Sequence, residues 1–274
     1  MQLTQEQLDQ YTQQGYLLLP EGLEEGAVEA MRQELPDLFH RDAPDVIKEK
    51  DQDTVRSIHG THNHNEVFQR LVRHPALLEP ARQVLGTDVY VYQFKINAKK
   101  AFKGDVWEWH QDYIFWLKED GLPRPDLVNI GVFLDEVTEF NGPLLFIPGS
   151  HQHGVFDIPA EEGSREGYEE NDWIADFTAD LKYSIDQKTL QNLVQAGGGI
   201  QAPKGPSGSL LLFHPNTVHG SVPNISPYDR TLVLVTYCSV DNVPTGAEYA
   251  RPEFLVSRDH TAVSPLPSGM SLAG

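Results

Sequence analysis

From residue 88 onward the chain is cut into short apolar runs by glycine and proline, and helical spacing is confined to what precedes. Val89-Tyr-Val-Tyr-Gln-Phe-Lys-Ile-Asn97 alternates. Side chains two apart share a strand face, which puts Tyr90, Tyr92, Phe94 and Ile96 on one side and Val91, Gln93, Lys95 and Asn97 on the other. Further strands are expected at 128–134, 144–151, 208–213 and 230–237, with turns at Asn141-Gly-Pro143, Pro148-Gly149 and Pro227. Helices do not alternate with these strands, so a parallel α/β sheet is excluded. Gly197-Gly-Gly199 lacks the spacing of a phosphate cradle. The pattern predicts an α+β chain, mainly β, built on a sandwich or barrel.

Before residue 88, Thr4 and Gln7 are placed to cap a helix that ends near Gly15. A short strand at 16–20, a helix over about 24–39 and a helix over 66–85 stopped by Gly86 follow. The polar stretch 41–65 holds His59, His62 and His64, but Gly60 and the asparagines there favour a surface or pocket-edge loop. No carboxylate stands at matching spacing for a metal. Ile200–Ala202 reads as a short strand. The acidic insertion 152–200 is long enough to act as a lid that keeps water from a site. The Ser/Pro/Gly-rich tail, 257–274, is expected to be loosely held. One domain over 1–274 is expected, with 1–87 its helical part and 88–240 its core.

Composition narrows the function. With 39 % hydrophobic residues and four tryptophans the chain is built to fold. A net charge of −19 argues against nucleic acid or an anionic membrane as partner. Cys238 is the single cysteine, which excludes an intrachain disulfide and a thiolate cluster. It follows the apolar run 232–237 and is expected to be a buried, inert thiol. The N-terminal residues lack a basic region with an apolar core, and no run has the length to span a bilayer, so a soluble cytoplasmic protein is expected. Monomer and homodimer both remain open.

Chemistry concentrates in Trp107-Glu-Trp-His-Gln-Asp-Tyr-Ile-Phe-Trp116. His110 and Asp112 stand two apart, so a strand or strand end would aim imidazole and carboxylate at one point among aromatics. One histidine, one carboxylate and a distant second histidine form the facial set that binds non-haem Fe(II). His151, His153, His214 and His219 are the candidates for the second histidine. His219 follows the strand 208–213, and Arg230 opens the last strand eleven residues later. A guanidinium there suits bidentate capture of a carboxylate, such as the far end of 2-oxoglutarate.

These residues carry a resemblance. His110-Gln-Asp112, Asn141-Gly-Pro-Leu-Leu-Phe-Ile-Pro-Gly-Ser-His151 and His219-Gly-Ser221 with Arg230 resemble the phytanoyl-CoA dioxygenase family. Gln93-Phe-Lys95-Ile-Asn97, Trp109, Trp116 with Glu119-Asp-Gly-Leu-Pro123, and Asn216-Thr-Val-His219-Gly-Ser221 are more closely similar to ectoine hydroxylases and bacterial amino-acid hydroxylases. The likeness spans about residues 5–240. It implies a double-stranded β-helix (jelly-roll, cupin-like) core with N-terminal helices packed on it. It also implies Fe(II) on His110, Asp112 and His219, with 2-oxoglutarate and O2 as co-substrates. Arg230 and Ser221 would hold the distal carboxylate, and Lys95, Asn97 and Trp109 would line the co-substrate side. Gln93, Tyr113, Phe115 and Trp116 would face the primary substrate.

Two departures bear on the reaction. Tyr113-Ile-Phe115 replaces residues that are polar in the ectoine enzymes, which favours a more aliphatic substrate. Asp112 stands where related halogenases have glycine or alanine, so hydroxylation is the outcome implied, with release of succinate and CO2. A small zwitterion, most simply a free aliphatic amino acid such as leucine, is the substrate expected. Ectoine, a CoA thioester or a specialised metabolite are the enzymatic alternatives. A cupin-like binding module is the alternative outside catalysis.

Overall fold

The computed structural model describes residues 1–159, 172–179, 181–245, 251–267 and 269–273. Thr4 closes the expected capping box with Gln7 over α1 (Gln5–Gln14), and Gly15 ends it at φ +80°. Then come β1 (Tyr16–Leu19), α2 (Glu25–Phe39), β2 (Val46–Lys48) and β3 (Val55–His59). The predicted helix 66–85 is two helices, α3 (Glu66–Leu71) and α4 (Pro75–Leu85). Pro75 biases His74 out of the helical region, and the His74 ring then caps α4 through Ala76 N–H. The remaining elements are β4 (Val89–Lys99), β5 (Trp107–His110), α5 (Asp112–Asp120), β6 (Leu127–Phe133), β7 (Leu144–Phe146), α6 (Gln187–Ala196), β8 (Leu210–Phe213), β9 (His219–Ser221) and β10 (Arg230–Ser239).

The strands form two antiparallel sheets, ordered β1-β8-β6-β10-β4-β3-β2 and β5-β9-β7. Among the described residues neither sheet closes into a barrel. The supposedly helical N-terminal part therefore supplies three strands to the large sheet. Two of them replace the loop expected at 41–65, and His59 lies fully buried in β3. One face of the large sheet packs on α2, α3 and α4 through Met31, Phe68, Leu77, Phe94, Ile130 and Val233. Its other face looks toward the small sheet, with Phe133, Phe146, Phe213 and Leu234 between them.

A β-bulge corrects the face assignment on β4. Gln93 pairs with Thr236 but Val91 with Tyr237, so Tyr92 is the extra residue. Such an insertion reverses the alternation beyond it. Val89 and Val91 accordingly join Phe94 and Ile96 on the helix side, while Tyr90 and Tyr92 belong to a separate aromatic cluster with Trp116. Gln93, Lys95 and Asn97 still share one face, as the alternation required, and that face is the inner one.

Part of the 152–200 insertion lies outside the described residues. The described part carries α6, which its polar sequence had not disclosed, and a tight helical turn at Asp172–Phe177. Ile200–Ala202 makes a single bridge, Gln201 to Phe146, in place of the expected strand. The tail is fastened, against expectation. Arg70, Arg73 and Arg82 donate to the carbonyls of Leu272, Ser264 and Val263, and Leu266 and Leu272 are buried.

Candidate metal centre

His110 closes β5 and His219 opens β9, and the two are register partners in the small sheet. Asp112 is the first residue of α5, with Gln111 as the hinge between strand and helix. The expected strand end thus holds for His110, and a helix start delivers the carboxylate. One ligand atom from each of His110, Asp112 and His219 lies within 4.8 Å of the others, and all three residues are buried. His110 Nε2 and His219 Nε2 stand 3.7 Å and 3.8 Å from the Asp112 carboxylate. The opposite ring nitrogens face backbone carbonyls, Nδ1 of His110 to Glu108 at 2.6 Å and Nδ1 of His219 to Thr217 at 2.9 Å. Those contacts leave both Nε2 atoms free to ligate.

Electrostatics suit a cation. Burial pushes the Asp112 carboxyl up, but Lys95, His219 and His110 outweigh it and hold the group well below the usual carboxylate range. Burial, reinforced by His110, holds His219 down to about 4, so the ring is neutral at physiological pH. An ionised carboxylate and a neutral imidazole are what a divalent ion requires. Asn129, a lone polar side chain in the buried β6, donates to Asp112 Oδ2 at 2.8 Å and accepts from Thr236 Oγ1 at 2.7 Å.

Two cavities meet at Lys95, Trp107 and His110. The first continues to Asn97, Leu144 and Arg230. Arg230 is 1 % exposed and donates through Nε and Nη2 to the Gly142 carbonyl. Burial brings its guanidinium down to about 9. The second cavity runs past Asp112, Gln93, Phe115 and Trp116 to Asp176, Phe177 and Arg251.

Known proteins place this geometry. The phytanoyl-CoA dioxygenase model matches residues 11–232. The chain belongs to the phytanoyl-CoA dioxygenase family. It is 42 % identical to the L-proline trans-4-hydroxylase of Streptomyces griseoviridis, over 93 % of each chain. It is 34 % identical to the ectoine dioxygenase of Bordetella bronchiseptica, covering 97 % of this chain and 86 % of that one. The crystal structure of EctD from S. alaskensis with 2-oxoglutarate and 5-hydroxyectoine superposes with a TM-score of 0.80 at 31 % identity, over 97 % of this chain and 87 % of that one. This member of the family is a dioxygenase of the Fe(II)- and 2-oxoglutarate-dependent kind.

Not every expected residue meets a cavity. Trp109 packs instead with Ile147, Ile185 and Val218, and Trp107 takes its place. The cause is a bulge in β5: Trp107 pairs with Ser221 and His110 with His219, so two residues of β5 face Gly220 alone. Tyr113 also turns away, packing in an aromatic cluster with its hydroxyl on the Leu122 carbonyl. In a helix, Asp112 shares a face with Phe115 and Trp116 at three and four residues on, and not with Tyr113. Ser221 is buried and lines neither of the two cavities; its oxygen accepts from Lys99. His59 pairs with Ser57 and, like His62 and His64, joins no metal-binding group among the described residues.

Lys99, Asn129, Trp107 and Arg251 escaped the sequence reading. Extending the β4 alternation by two residues reaches Lys99, and Asn129 interrupts an apolar run. Arg251 follows no periodic segment and has no such signal. Cys238 is buried as expected, and burial pushes its thiol up to about 12.

Proposed function

We propose that the protein hydroxylates a free aliphatic amino acid, with Fe(II) held by His110, Asp112 and His219. The observation that carries this reading is the second cavity, with His110 and Asp112 in its wall and charged groups of both signs at its far end. Arg251 uses Nε and Nη2 on Asp120, and its Nη1 lies 3.9 Å from Asp176. The Nη1 end of the guanidinium for a carboxylate and the Asp176 carboxylate for an ammonium would anchor a zwitterion. Phe115, Trp116 and Phe177 would bracket its hydrocarbon part, and Gln93 supplies one further hydrogen-bonding group to the lining.

Among aliphatic amino acids L-proline is favoured over leucine, because the relative at 42 % identity is a proline hydroxylase. Ectoine remains the second candidate, given relatives at 34 % identity. The two sheets facing each other across the site support the double-stranded β-helix that the family pattern implies.

Bound iron with 2-oxoglutarate supplies the oxidising power: one atom of O2 enters a substrate C–H bond, and the other leaves in succinate with CO2 released. The chain's residues position the partners. Arg230 and Ser221 hold the distal carboxylate, Lys95 and Asn97 line the passage from it to the metal, and Trp107 separates the two cavities. Asp176 and Phe177 come from the 152–200 insertion, which supports a lid role for that segment.

The test is succinate release, screened across free amino acids and ectoine, alongside the visible charge-transfer band of the anaerobic Fe(II)–2-oxoglutarate complex. Expected are a band absent in His219→Ala and succinate matched one to one by hydroxyproline. A band with no amino-acid-stimulated succinate overturns the substrate reading; no band overturns the metal reading.

A further inference from the structure

Arg56 lies on β3 and lines neither cavity, and its side chain is 1 % exposed. Nη1 donates to Glu49 Oε2 at 3.0 Å, and that ion pair accounts for the buried charge. The other nitrogens do something an ion pair does not require. Nε donates to the Phe177 carbonyl at 2.7 Å, and Nη2 to the carbonyls of Val106 at 2.6 Å and Thr178 at 3.2 Å. The guanidinium carbon also sits 3.9 Å from the centroid of the Trp107 ring. One planar group thus ties the start of β5 to a segment that stands 121 positions after Arg56.

The insertion has a use for such a partner. The helical turn Asp172–Phe177 ends at Phe177, and the last carbonyls of a turn find no N–H within it. An arginine side chain is suited to take them. β3 holds Phe177 a second time, because the fully buried His59 ring meets the Phe177 ring edge-on at 4.4 Å. Asp176, Phe177 and Trp107 all line the second cavity. Arg56 therefore grips the backbone at Phe177 and the ring of Trp107 from outside the space they enclose.

We propose that Arg56 is a positioning residue for the primary substrate: it clamps 177–178 to the start of β5, so that Asp176 and Phe177 are presented to the second cavity at a fixed distance from Trp107. The inference rests on reading that cavity as the seat of the amino acid. Trp107 is fixed independently by its register with Ser221 on β9. A weakened clamp would therefore release the insertion and leave Trp107 in place.

The experiment compares wild type with Arg56→Lys, which keeps the charge and the Glu49 pair but lacks the planar fork. Hydrogen exchange is read by mass spectrometry, and steady-state kinetics are measured on the Fe(II)-loaded enzyme with L-proline. Amides of 172–179 should exchange about tenfold to a hundredfold faster in the variant, the scale of one hydrogen bond to a charged group. Amides of β4, β6 and β10 should be unchanged. KM for L-proline should rise about tenfold or more, while KM for 2-oxoglutarate stays within about threefold. More succinate should form per hydroxyproline, since the site excludes water less well.

Unchanged exchange at 172–179 overturns the proposal. So does faster exchange throughout β4, β6 and β10, or an equal rise in both KM values, because an arginine that merely supports the fold would give either. Faster exchange confined to 172–179 with an unchanged KM for L-proline overturns the positioning role and leaves a structural clamp. Should Arg56→Lys not fold, Arg56→Gln made together with Glu49→Gln removes both buried charges and enters the same comparisons. Wild type that turns over no amino acid overturns the substrate reading, and exchange at 172–179 then still decides whether Arg56 clamps the insertion.

Discussion

Removing the Asn129 amide should loosen the metal without dismantling the fold. Asn129 is 2 % exposed on β6, and its side chain bridges Thr236 on β10 to Asp112 Oδ2. Thr236 and Asn129 are register partners, so the bridge rests on two adjacent buried strands. In Asn129→Ala the carboxylate loses a donor held in place by that pairing, and Asp112 becomes free to turn about its side-chain torsions. A hydrogen bond to a charged group is worth about 1.5–3 kcal/mol. If all of it reaches the metal, Fe(II) affinity falls about tenfold to 150-fold, in line with the usual cost of losing an outer-shell partner. Asn129→Asp should be worse, because it sets a second carboxylate against Asp112. The assay is Fe(II) or Mn(II) titration under nitrogen, paired with urea unfolding at fixed metal concentration. The metal-dependent gain in stability should shrink as the dissociation constant rises. Asn129→Ala protein that binds Fe(II) within twofold of wild type would refute the reasoning, as would a loss confined to the metal-free fold.

Two further outcomes follow from burial. Cys238, buried and with its thiol pushed up to about 12, should resist iodoacetamide in the native state and label promptly in urea; rapid native labelling would contradict its placement. Burial holds His62 and His214 down to about 4, below the ordinary 6.5. A depressed folded-state value means stability present above pH 6.5 and lost as pH falls toward 4. The urea midpoint should therefore drop across that window, and His62→Phe, which keeps the stacking on Phe94, should flatten part of the drop. An unchanged slope in that variant would refute the assignment.

The long-range pattern was legible in the chain where side-chain period and burial agree. β6, β8 and β10 are apolar because both their faces are covered, and glycine and proline mark their ends. His110, Asp112, His219 and Arg230 were found because their chemistry is rare and their spacing characteristic. The misplaced side chains at and near the site share a physical cause, a local shift of period. The bulge at Tyr92 reversed the face of two tyrosines. The bulge in β5 exchanged Trp109 for Trp107. The switch from strand to helix at Gln111 moved Tyr113 off the face that Phe115 and Trp116 share. None of these leaves a mark in hydrophobic alternation.

The sequence by itself determined a strand-rich second half, a net negative charge, a lone inert thiol and a His–Asp–His set with a distant arginine. Those properties reside in residue type and local spacing. Only the tertiary structure decided what surrounds the set. Lys99 meets Ser221 across 122 positions, and Arg251 meets Asp120 across 131. Contacts of that span arise from strand pairing and chain return, and they select partners by geometry that one-dimensional order does not carry.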